Sequence, residues 1–171
     1  MPEIIFTDTQ IESFIQEPKS PNSDISTLQT RMKYKQGHKE NQLELQGQKG
    51  SRFTLILRQS EHNQLDFSVI LGCLIPGTNK VFRLRRYNGN GHVHSNKIEK
   101  TRIIYKFHIH YATERYQMRG FFEDGYAEAT TKYATLTQAI QVAKLECGVI
   151  YQGDTATLES FFGPDKHEGN L

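Results

Sequence analysis

Tryptophan is absent from the 171 residues, and cysteine occurs only twice, at Cys73 and Cys147. Two thiols are too few for a disulfide scaffold, which excludes the small secreted class and points to a reducing compartment. Long apolar runs are missing as well. The longest, Val69 to Ile75, contains Gly72 and falls far short of the ~20 residues that a membrane-spanning helix needs. At the start, Met1-Pro2-Glu3 carries an acid where a secretory signal would have basic residues. These absences predict a soluble cytoplasmic protein with no membrane partner. A chain of this length can bury roughly 70% of its unfolded surface, so it needs no metal or disulfide simply to fold.

Net charge is also low, a formal +2, but it is unevenly spread. Between Asn79 and Arg119 there are ten lysines and arginines against only Glu99 and Glu114, a local +8 that leaves −6 for the rest. Four of the seven histidines fall in the same stretch. Such a cluster is the electrostatic footprint of a phosphate-bearing partner, although a solvated basic face would look the same.

Hydrophobic periodicity divides the chain. Thr7 is a good N-cap for a short amphipathic helix over 7–17, closed before Pro18. Residues 18–40 are polar, contain Pro18 and Pro21, and read as a linker with at most a weak helical turn around Leu28 and Met32. From 41 to 111 the period is near 2. Five runs, ending with Val81 to Tyr87 and Arg102 to Tyr111, predict a five-stranded antiparallel meander. In the last run Ile103, Tyr105, Phe107, Ile109 and Tyr111 share one face, while Arg102, Lys106, His108 and His110 share the other. The first face should be core and the second a basic, histidine-bearing surface. Residues 112–150 read as a loop followed by a helix that covers the core. There Thr135-Leu136-Thr137-Gln138 has capping-box spacing, Leu136, Ala139, Ile140, Ala143 and Cys147 form a stripe, and Gly148 suits the C′ position. Residues 151–171 read as a polar tail, with one short helix at Thr157 to Phe162 and frayed ends. The expected fold class is α+β, one sheet with a helix-covered apolar face and a basic face, in a single domain.

Three pieces carry the chemistry: Arg83 to Gly89, the loop His92-Val93-His94-Ser95-Asn96, and Phe107 to Tyr116. Imidazoles beside guanidinium groups suit metal-free cleavage of RNA. Histidine titrates near neutrality and can remove or supply a proton, while arginine holds phosphate charge bidentately. On this reading His108 and His110 are the acid–base pair with His94 next, Glu114 orients a histidine, and Arg83, Arg85, Arg86, Arg115 and Lys106 bind phosphate, with no cofactor required. The same His-x-His supports a metal reading with His108, His110, Glu114 and His94 as ligands. The spacing His-x-His-x3-Glu, followed by Gly120, looks like the first metal motif of cupins, without their downstream motif. Glu123, Asp124 and Glu128 read as an acidic surface turn, and Cys73 and Cys147 as buried, inert thiols.

The strings Arg86-Tyr87-Asn88-Gly89, His94-Ser95-Asn96, Phe107-His108-Ile109-His110 with Ala112 to Gln117, and Asp124-Gly125-Tyr126-Ala127 resemble an uncharacterised bacterial family known by a domain-of-unknown-function label. The likeness spans roughly residues 8–148 and implies no particular activity. A fainter similarity is to TumE-type toxins of toxin–antitoxin modules, with Asn88-Gly89 in place of their Asp-Asn pair. That similarity implies a toxin or defence role and an acidic antitoxin partner. The combined expectation is RNA binding with metal-independent cleavage, the alternatives being a basic docking face for an acidic protein or a metalloenzyme.

Overall fold

The computed structural model describes residues 4–150, so the expected tail and its short helix lie outside the described residues. Helix α1 spans Asp8–Gln16 and begins with the capping box its sequence encodes. Thr7 Oγ1 accepts from the Gln10 amide at 3.1 Å and the Gln10 side chain accepts from the Thr7 amide at 2.9 Å. Ile11 and Ile15, four apart, are the buried pair that seats the helix on the sheet.

The stretch expected to be a linker is instead ordered structure: β1 (Lys19–Pro21), α2 (Thr27–Thr30) and β2 (Lys33–Lys35). Ile25 and Leu28 are buried, and Lys19 is wholly enclosed. Its few apolar residues have no regular spacing, and a buried lysine carries no apolar signal. Both short strands pair antiparallel with β3 (His38–Gly47), one on each half of that long strand. The sheet therefore begins well before residue 41.

Strands β4 (Arg52–Ser60) and β5 (Phe67–Leu74) follow the predicted alternation, and β6 (Val81–Asn88) does so except at one point. Leu43 pairs with Leu55, Leu55 with Leu71 and Leu57 with Val69, so one face is continuously apolar. A bulge interrupts the β5–β6 pairing. Leu71 faces Arg85 and Gly72 faces Arg83, so Leu84 has no partner across the ladder and turns into the core.

After β6 the chain leaves the sheet as a separate hairpin, β7 (Val93–Asn96) and β8 (Thr101–Ile104), and rejoins it as β9 (His108–Tyr111) beside β6. The run Arg102 to Tyr111 is thus two strands, not one. Tyr105 breaks it with a left-handed backbone, φ +48°. Alternation resumes in phase beyond the break, which is why periodicity cannot reveal it. The chain closes with α3 (Glu114–Met118), β10 (Tyr126–Ala129) paired to β9, and α4 (Leu136–Glu146), whose C-terminal Gly148 has φ +66°.

Among the described residues the architecture is α+β, an eight-stranded sheet whose strands pair antiparallel in the order β1-β3-β4-β5-β6-β9-β10 with β2 also on β3. It replaces the five-stranded meander expected. Helices α1, α2 and α4 cover the apolar face, packing Ile15, Leu28, Ala139 and Ala143 into one core with Phe53, Leu57, Tyr87 and Ile109. No helix among the described residues is long and apolar enough to cross a membrane.

Candidate functional site

The opposite face of β6 and β9 presents Arg86 and Asn88 beside His110 and His108, their register partners. The β7–β8 hairpin lies over them. Its inner side carries His94 opposite Ile103 and Asn96 opposite Thr101, and its outer side carries Ser95 opposite Arg102. The loop 88–101 therefore does meet the His-x-His strand. His94 lies 4.5 Å from His110 and 5.8 Å from His108 between ring centroids, and His92 lies 5.0 Å from His108.

Because the hairpin covers them, His108 and His110 are 0% and 1% exposed. The histidine-bearing face is real, but it is an interior layer, not a surface. His108 Nδ1 lies 2.7 Å from the Lys106 carbonyl oxygen and His110 Nδ1 lies 2.7 Å from that of Asp124, so each Nδ1 must carry the proton and donate. Their Nε2 lone pairs then accept from one carboxamide, Asn88 Nδ2, at 3.5 and 3.4 Å. Ser68 Oγ donates to Asn88 Oδ1 at 2.9 Å and fixes which way that amide points. His94 Nε2 donates to Gly125 O at 2.9 Å and Asn96 Oδ1 at 3.0 Å.

All three imidazoles are held neutral. Burial pushes His108 down to about 4, and burial followed by the nearby Arg86 charge pushes His110 down to about 2. His94 is lowered too, again chiefly by burial. Neutral rings are bases at pH 7 but not acids, so the acid–base division expected of His108 and His110 has no electrostatic basis in this conformation.

The carboxylate that organises the cluster is Asp124, 1% exposed, and not Glu114. Arg83 Nη2 approaches Asp124 Oδ1 at 3.2 Å, and Arg86 Nε stands 3.3 Å from Oδ2 as an ion pair without hydrogen-bond geometry. Burial raises the Asp124 carboxyl, and the two guanidinium charges oppose that shift. The acidic turn expected at the surface is thus partly interior. It is tight enough that a Cβ on Gly125 would come within 2.6 Å of the Tyr116 ring. Glu114 instead sits in the first turn of α3, its amide donating to Asp8 Oδ1 at 2.9 Å.

The expected phosphate-binding set is divided. Arg83 and Arg86 serve Asp124, and Arg83 also bonds Glu123. Because of the bulge, Arg85 is on the helix-covered face, with Glu146 at 3.8 Å and its guanidinium 5.0 Å over the Tyr111 ring. Arg115 pairs with Glu99 at 2.7 Å and stacks on Tyr126. Lys106 alone of the five is exposed with no carboxylate partner among the described residues. No group of three or more His, Cys, Asp or Glu among the described residues is arranged to hold a metal ion, so the cluster His108, His110, Glu114 and His94 is not assembled as ligands.

Asn88, Asn96 and Asp124 are the site residues that sequence reasoning passed over. Their only signal was membership of the strings that carry the resemblance, since a buried Asn or Asp has no periodic signature. No family model, curated protein or solved structure matches the chain.

Proposed function

We propose that this protein binds RNA, through phosphodiester contacts, on the outer side of the β7–β8 hairpin and the segment that follows it. The observation that carries the reading is a sorting of cations. Four of the five expected phosphate ligands are arginines with acidic partners, whereas Lys97, Lys100, Arg102 and Lys106 are exposed, along one hairpin and its exit, and unpaired by any carboxylate among the described residues. Unpaired surface cations are the groups that release counterions when a polyanion binds. The buried histidine layer then acts as a rigid polar floor that sets where the hairpin sits.

Metal-independent cleavage of the bound strand is the second reading, favoured by one observation. The cluster is closed over His108 and His110 but open at its rim, where His94 is half-buried and His92 has a side chain 43% exposed beside Asp66. On this reading His94 and His92, not the enclosed pair, meet the substrate. A toxin or defence role, with an acidic antitoxin as partner, would use the same cationic surface.

Titrating labelled single-stranded RNA in EDTA, with wild type and a Lys97→Glu/Lys100→Glu/Arg102→Glu variant, tests the first reading. Binding lost in the variant supports it, and absence of binding by wild type removes it. Gel analysis of the same mixtures tests the second, with His94→Ala expected to abolish any cleavage.

A further inference from the structure

Tyr105 combines two properties that seldom coincide. The residue is 64% exposed and its backbone has φ +48°, in the left-handed region that bulky residues avoid. An exposed tyrosine alone needs no explanation. An exposed tyrosine held in a costly conformation does, because an unconstrained chain would relax to negative φ.

The constraint comes from His108 and from the segment after β10. His108 Nδ1 donates to the Lys106 carbonyl at 2.7 Å, the Thr130 amide donates to the Phe107 carbonyl at 2.9 Å, and Tyr133 Oη donates to the His108 carbonyl at 2.9 Å. Three successive carbonyls after Tyr105 are thereby fixed. On its other side Tyr105 follows Ile104, the end of β8, which pairs with Val93. The ring is presented from a pinned segment, with Arg102 and Lys106 exposed on either side of it in the chain.

We propose that Tyr105 is a base-stacking platform and that the ligand of this surface is therefore a single-stranded polynucleotide, with Arg102 and Lys106 on the flanking phosphates. This rests on the reading of the hairpin as an RNA-binding face and narrows it. Stacking requires an unpaired base, whereas the cations alone would accept a duplex equally well. A protein partner is the competing occupant, since Ile104 beside Tyr105 is itself 54% exposed. Two unpaired cations within five residues favour a partner carrying regular negative charge.

The experiment compares wild type with Tyr105→Ala, Tyr105→Phe and Tyr105→Gly. The probes are a labelled mixed-sequence 12-mer RNA, the same strand annealed to its complement, and poly-glutamate. Tyr105→Ala should weaken binding of the single strand by roughly tenfold and leave the duplex unchanged, with Tyr105→Phe retaining wild-type affinity. Tyr105→Gly should lose the same affinity while its melting temperature holds or rises, because glycine accepts the backbone conformation without cost. That opposition between stability and affinity would not follow from a merely structural tyrosine. If Tyr105→Ala binds the single strand as wild type does, while charge reversal in the hairpin still weakens binding, stacking is wrong and the cationic surface stands. If wild type binds neither nucleic acid, both ideas fall. Binding of poly-glutamate with the same dependence on Tyr105 would overturn the proposal in favour of an acidic protein.

Discussion

The Asn96 carboxamide substitutes for a neighbouring strand at Ala127. Its Oδ1 accepts from the Ala127 amide at 2.8 Å and its Nδ2 donates to the Ala127 carbonyl at 2.9 Å. Since β10 pairs with β9 on its other side, this side chain closes the free edge of the sheet, and His94 does the same one turn of the ladder away, at Gly125 O. An edge strand left open is a template for unwanted pairing. The hairpin is therefore held to the sheet by side-chain amide and imidazole bonds to backbone, not by a continuous strand ladder.

Asn96→Ala should accordingly cost about 2–4 kcal/mol, since it leaves one buried amide and one buried carbonyl without partners. Urea unfolding gives the loss. Faster hydrogen exchange at the Ala127 amide, with the β4–β5 amides unchanged, would place that loss at the hairpin seam. An unchanged urea midpoint would show that water replaces the carboxamide at no cost.

Acidification should loosen the same layer. His108 and His110 titrate in the fold at about 4 and about 2, below the value of about 6.5 expected for an unfolded chain. As pH falls below 6.5 the unfolded state binds protons that the folded state refuses, so stability present at pH 7 is lost on the way down. Each histidine contributes roughly 1.4 kcal/mol per pH unit, so the pair gives a slope approaching 2.7 between about pH 6 and pH 4, with His94 adding in the same direction. Urea midpoints at pH 7.5, 6.5, 5.5 and 5.0 test this before most carboxylates begin to titrate. A flat profile over that range would mean the rings are not enclosed.

Much of the scaffold was legible because it obeys simple periods. Thr7 with Gln10, the alternation through Leu55, Val69 and Leu71, and the α4 stripe ending at Gly148 each repeat a local rule. Most of the failures involve a residue whose environment depends on how the chain turns or on what reaches it from another element. Lys19 looks like a linker lysine until four carbonyls surround it, and Asp124 looks like a turn acid until Arg83 and Arg86 reach it from another strand. Arg85 looks like the neighbour of Arg86 in one cradle, but a single unpaired residue at Leu84 fixes which arginines share a face. Nothing local to 102–111 distinguishes one strand from two in phase.

The Asp124–Arg86 pair lends itself to a double-mutant cycle. Asp124→Leu alone leaves the half-buried Arg86 guanidinium without its carboxylate, while Arg83 keeps Glu123, and should cost about 3 kcal/mol. Arg86→Met alone leaves Asp124 with Arg83 and should cost less. The two together should recover a large part of the Asp124→Leu loss, as replacement of a buried pair by apolar residues often does. Additive losses would indicate that Arg83, not Arg86, carries the coupling.

Lys19 offers a test of the region once expected to be linker. Its ammonium reaches the carbonyls of Phe14, Ile15, Glu17 and Cys147 at 2.7–2.9 Å, joining the end of α1 to the end of α4. Burial pushes its pKa down to about 8, which still leaves it mostly protonated at neutral pH. Lys19→Met preserves the stem but strands those carbonyls, and should lower stability by roughly 3 kcal/mol or more. A melting temperature within a degree of wild type would show that the two helix ends do not depend on this cation.

Salt dependence provides the sharpest check on where a polyanion binds. For a single strand, log affinity falls with log salt by about 0.7 per phosphate neutralised. If Lys97, Lys100 and Arg102 each contact one phosphate, replacing all three with glutamine should flatten that slope by about 2 as well as weaken binding at low salt. Glutamine tests the loss of contacts without adding repulsion, which glutamate would do. Replacing Arg85 and Arg115 in the same way should leave the slope unchanged, because Glu146 and Glu99 already hold those groups. The reverse pattern, with the slope set by Arg85 and Arg115, would move the binding face away from the hairpin and require both ion pairs to open on contact with the ligand.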